Sequence, residues 1–204
     1  MKIDISDRKR AIYVGVMILL AYGVLVSGMT QAKLTVLIAD VISGLSVIGI
    51  AVLMYPLFNA FNKTVSQVYL GLRSVEGLLM IIAGFVFLVS PDARGMIYDN
   101  IQIYPFILGA FVFYYLFYMS RLIPRFIAIW GLAGTAVLAI STVLKLFGPG
   151  SQTLDYFLVL IITNEVFLAG WLIAKGFNPK AVSTVEAKDP DFQQAVIVRG
   201  ATDR

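Results

Sequence analysis

The chain has 204 residues, of which 59% are hydrophobic and 14% are Asp, Glu, Lys or Arg, with a formal net charge of +4. That charged share is about half the usual one for a soluble domain, too little to dress a water-facing surface, so the class is polytopic membrane protein. The chain contains no cysteine and no histidine, which excludes a disulfide framework, thiol chemistry, histidine acid–base catalysis and histidine-held haem or zinc.

Six stretches are long and apolar enough to span a bilayer as helices, for which about 20 residues are needed. In chain order they are 11–28, 34–58, 65–89, 101–119, 122–147 and 153–177. The first follows the basic stretch "DRKR" and reads as an uncleaved span rather than a signal peptide. The connections "SGMTQAK", "NAFNKT", "SPDARGMIYDN", "SR" and "GPGSQ" are short and rich in turn formers. Short connections force antiparallel neighbours. The expected architecture is therefore an all-α, up-and-down bundle of six transmembrane helices over residues 1–180. The break at Ser120–Arg121 predicts a tight helical hairpin, with Pro124 near the first turn of the next helix. Residues 181–204 read as a polar cytoplasmic tail, mostly flexible, with one apolar patch, "FQQAVIV".

Counting Lys and Arg outside the spans and at their ends orients the bundle. Lys2, Arg8, Lys9, Arg10, Lys63, Arg121, Arg125, Lys175 and Lys180 fall on one side; Lys33, Arg94 and Lys145 fall on the other. The asymmetry predicts both termini in the cytoplasm and a multi-pass protein of the plasma (cell inner) membrane. The same distribution accounts for the basic pI, so the partners expected are membrane lipids, and a membrane-protein partner or a second copy, with no nucleic acid. Tyr114, Tyr115, Phe117 and Tyr118, with Trp171, are expected at headgroup level, where amphipathic rings gather.

The stretch "VYLGLRSVEGLLM", residues 68–80, places Arg73 and Glu76 inside an apolar helix. A charge at a helix centre costs roughly 2.5–3.5 kcal/mol on insertion scales, so such residues face the interior and pair. Three apart, they share one helical face. Glu165, beside Asn164, lies halfway along the sixth span, and Asp40 a quarter of the way into the second. At 1.5 Å per residue Glu165 matches the depth of Glu76, and Asp40 lies about 10 Å further out. Arg73, Glu76, Glu165, Asn164 and Asp40 are the candidate ligand or proton site. Three carboxylates outnumber one guanidinium, which predicts one neutral carboxyl, Asp40 if it stands apart from Arg73. Two readings stay open: Arg73 as a structural hub for Glu76 and Glu165, or a cluster that binds a polar ligand or relays protons. Ala39 and Ser43, and Gly131, Thr135 and Ala139, recur at four-residue spacing, which lets helices approach closely. Ser43 also shares a face with Asp40 and is placed to bond it.

No phosphate-binding, dinucleotide or metalloprotease motif is present, and no internal repeat of the kind transporters carry. No catalytic residue, cofactor site or metal site is assigned; an acid–base site built from carboxylates alone stays open. The first functional reading is a non-catalytic accessory or scaffold subunit. The alternative is a small proton-coupled transporter or polar-ligand carrier, and an intramembrane lipid enzyme is the weakest.

The stretches "IADVISGLSVIGIAVLMYPLF", "GLRSVEGLLMIIAG", "FYMSRLIPRFIAIWGLAGT" and "NEVFLAGWLIAKGFNP" cover most of residues 34–180. In them the chain resembles the domain of unknown function 4386 family of small prokaryotic integral membrane proteins. The "SRLIPRFIAIWGL" stretch is the most specific. The resemblance implies a multi-helix membrane bundle and no assigned reaction; the segment after Pro179 departs from the shared region.

Overall fold

A computed structural model describes residues 6–23, 25, 29–30, 32–145 and 158–188. Helices make up its framework, with no strand among the described residues. They are α1 (Asp7–Ala21), α2 (Lys33–Asn59), α3 (Lys63–Phe87), α4 (Pro91–Ile97), a π-helical turn (Tyr98–Gln102), α5 (Ile103–Ser120), α6 (Arg125–Lys145), α7 (Leu158–Ala174) and α8 (Pro179–Lys188). The "GPGSQ" connection, the start of the predicted sixth span and the "FQQAVIV" patch lie outside the described residues.

Successive helices pack against one another, α1 on α2, α2 on α3, α3 on α5, α5 on α6 and α6 on α7, and α7 returns against α1. The six longer helices thus close a ring. Two cations fasten helix C-termini, where orphan carbonyls and the macrodipole favour positive charge. Lys33, at the start of α2, donates to the Leu88 carbonyl at 2.8 Å just past α3. Arg8 of α1 donates to the carbonyls of Leu172, Ile173 and Ala174 at 3.3, 2.7 and 3.2 Å.

The longer helices each bury part of their surface. On α2 the buried stripe is Val36, Asp40, Ser43, Val47, Ile50, Met54 and Leu57, a helical repeat facing the ring interior. Its outer face carries exposed Leu34, Ile38, Ile42, Leu45 and Val52. Apolar side chains on both faces suit a hydrocarbon surround, not water. Four helices, Lys33–Asn59, Lys63–Phe87, Pro91–Ser120 and Arg125–Lys145, are long and apolar enough to cross a membrane. The described parts of α1 and α7 are shorter, at 15 and 17 residues.

Three sequence expectations change. The stretch "SPDARGMIYDN", read as a loop, is helical: Ser90 caps it by accepting from the Ala93 N–H, Pro91 takes a first-turn position, and the helix runs on to Ser120. Tyr114 and Phe117, expected at headgroup level, are fully buried among Phe58, Tyr69 and Phe113. Gly131 makes the room, since a Cβ there would collide with the Tyr114 ring. The segment after Lys180, read as flexible, continues α8 to Lys188 and buries Ala181 and Val182 in the core. At the predicted hairpin, Arg121 turns the chain in the left-handed region at φ 55°, and α6 begins directly after Pro124.

Candidate functional site

The crossing of α2 and α3 sets the site. Gly44 and Gly77 meet backbone to backbone; a Cβ on either would strike the carbonyl oxygen of the other. That close approach presents Glu76 and Arg73, just before Gly77, to the ring interior. Arg73 Nη1 donates to Glu76 Oε2 at 2.8 Å, with side chains 9% and 3% exposed. The guanidinium lies over α5, 5.8 Å from the Phe106 ring centre and 5.6 Å from that of Phe113. Gly109, between those two on the same helical face, leaves a slot for it: a Cβ there would sit 3.3 Å from Arg73 Cδ and Nε.

The expected three-way pairing is only partly formed. Arg73 holds Glu76, but Glu165 accepts from the Tyr22 hydroxyl at 2.8 Å and forms no ion pair with Arg73. The reason is direction around the ring. Arg73 leans onto α5, the neighbour of α3, while Glu165 on α7 is reached first by α1. Asn164 is fully buried and donates to the Ile127 carbonyl at 3.0 Å, tying α7 to α6.

Asp40 is not isolated, as its pairing with Arg94 shows. Arg94 of α4 reaches it in a fork, Nε to Oδ2 at 2.8 Å and Nη2 to Oδ1 at 2.9 Å. Asp40 is fully buried and the Arg94 side chain is 13% exposed. Gly84 lets α3 pass close by, since a Cβ there would lie 2.9 Å from the Asp40 Cβ. The Arg94 guanidinium stacks 4.6 Å from the Tyr98 ring centre. Sequence reasoning missed Arg94 because the helix around it was read as a loop; Ser90 followed by Pro91 was the signal that could have found it. Ser43, expected to bond Asp40, has its hydroxyl buried with no hydrogen-bond partner.

Two polar centres result, one at Arg73–Glu76 and one at Asp40–Arg94, about 12 Å apart along α3 when Gly84 marks the second. The Tyr69 and Tyr114 hydroxyls, Arg73 Nε and Asn164 Oδ1 are buried without hydrogen-bond partners. Among the described residues no three acidic side chains gather as a metal site would need.

The model of a domain of unknown function, DUF4386, matches residues 24–94 and 91–176. The chain belongs to this family. The matched residues of this DUF4386 protein include both ion pairs and the Glu165–Asn164 dipeptide. No curated protein and no solved structure matches it.

Proposed function

We propose that this DUF4386 protein is a six-span protein of the plasma membrane with both termini cytoplasmic, acting as a non-catalytic accessory or scaffold subunit whose buried charges lock the bundle. The observation that carries this reading is that the three acidic side chains of the candidate site are each engaged within the fold: Glu76 by Arg73, Asp40 by Arg94 and Glu165 by Tyr22. A buried charge without a partner is costly, and a closed set of partners serves helix register. The Lys and Arg asymmetry supports the orientation.

The carrier reading has its own support. Arg73 Nε, the Tyr69 and Tyr114 hydroxyls and Asn164 Oδ1 are buried orphans, and buried polar groups usually have partners, ordered water included. Tyr22, whose hydroxyl holds Glu165, also lines an apolar groove of about 470 Å³ with Leu19, Ile38 and Ile42.

Cysteine accessibility separates the two, because the chain has no native cysteine to confuse it. Asn164→Cys and Thr135→Cys report on the interior, and Val89→Cys, 88% exposed, is the positive control. In native membranes a charged, water-soluble thiol reagent should label Val89→Cys and leave both interior variants unmodified. Rapid labelling of either interior cysteine would replace the scaffold with the carrier.

A further inference from the structure

A second feature lies at the opposite end of the bundle from Arg94. A pocket of about 490 Å³ opens where α5 turns into α6 and α7 into α8, lined by Arg121, Arg125, Lys175, Trp171, Gly176 and Asn178 among others. Three cations border it and no acidic residue does. All three are exposed, and none has an ion-pair partner among the described residues. The geometry is fixed by backbone, not by chance rotamers. Asn178 N–H donates to the Leu122 carbonyl at 2.8 Å, and Gly176 takes φ 77°, clamping the two turns together. Both α6 and α8 start at the rim, so positive helix ends add to the cationic field.

An aromatic stripe descends from this pocket over the outer face of α6 and α7. Trp171, in the pocket wall, lies 6.5 Å from Phe167 and 6.4 Å from Phe126; Phe167 lies 5.8 Å from Trp130. Phe126 is 54% and Phe167 41% exposed, so the stripe faces outward. Ordinary topology explains scattered cations at a helix end. It does not explain a walled basic pocket continuous with an exposed aromatic track. A molecule with an anionic phosphate at one end and hydrocarbon at the other matches both parts.

We propose that this pocket seats the phosphate headgroup of an anionic phospholipid, with its chains lying along the Trp171–Phe167–Trp130 stripe. The proposal rests on the membrane reading above, and its test separates the two. The chain has only two tryptophans, and both lie on the stripe, so intrinsic fluorescence reports this site alone. The full-length protein is placed in phosphatidylcholine nanodiscs containing a minor fraction of dibrominated phosphatidylglycerol or, in parallel, dibrominated phosphatidylcholine. Phosphatidylglycerol should quench the tryptophans at lower mole fraction. Arg125→Gln/Lys175→Gln should cut its relative affinity about thirtyfold, the size expected for two membrane-proximal cations. Lys175→Gln alone, on an exposed side chain, should cut it about fivefold and carries the test if the double variant does not fold. Lys63→Gln, an exposed cation counted on the same side but outside the pocket, should leave the preference intact. Equal quenching by both lipids, or equal loss in Lys63→Gln, overturns the headgroup site while leaving the membrane reading standing. Removal of the preference by millimolar inorganic phosphate overturns it too, since the pocket would then take free phosphate. Absence of quenching by either lipid overturns both.

Discussion

Arg94→Ala removes the cation that forks onto Asp40. Two charge-assisted bonds, at 2.8 and 2.9 Å, are lost, and Asp40 stays fully buried. Breaking a buried ion pair from one side typically costs about 3–5 kcal/mol. Arg94 is 13% exposed, so water screens the native pair slightly and the lower end applies, about 3 kcal/mol. At roughly 2–4 °C per kcal/mol for a chain of this size, the melting temperature should fall about 6–12 °C. Asp40→Leu/Arg94→Met removes both charges and should regain most of the loss, because apolar replacements of a buried pair are close to neutral. The assay is thermal unfolding of single and double variants in one detergent at one pH. Arg94→Ala melting with the parent, or a double variant no better than Arg94→Ala, would refute the reasoning.

Gly77→Leu should be among the most damaging single changes, costing more than the about 1–3 kcal/mol of ordinary overpacking, because a Cβ there meets the Gly44 carbonyl and side chains of α2 rather than free space; Gly71→Leu, where a Cβ meets nothing, should leave the melting temperature near the parent's. Truncation after Lys188 should leave a folded bundle, whereas truncation after Lys180 removes buried Ala181 and Val182 and should cost about 1–3 kcal/mol, read as earlier melting or faster proteolysis.

Much of the fold is legible because hydrophobic length is a strong signal: α2, α3 and α6 fall within a few residues of the stretches read from sequence. The Arg73–Glu76 pair is legible for a local reason, since three-residue spacing fixes one helical face. Partners on other helices are not, because depth arithmetic gives height in the bilayer but not azimuth around the ring. Glu165 shows this: its depth matches Glu76, yet it bonds Tyr22. Arg94 was hidden by composition, since Ser, Pro, Asp and Gly read as a turn although the same Ser and Pro cap a helix. The aromatic run at 113–118 misleads in the same way. Only the four-residue spacing of Gly131, Thr135 and Ala139 hinted that α6 admits Tyr114 to the core.

The central claim is that buried charges hold this bundle rather than await a ligand, and Arg73 tests it most directly. Unfolding of Arg73→Ala and of Arg73→Met/Glu76→Gln should be compared with the parent in one detergent. The account predicts that Arg73→Ala loses about 3–5 kcal/mol, because Glu76 is left buried without its cation, and that the double variant recovers most of it. An Arg73→Ala protein as stable as the parent would contradict the account, since the guanidinium would then be contributing nothing to the fold.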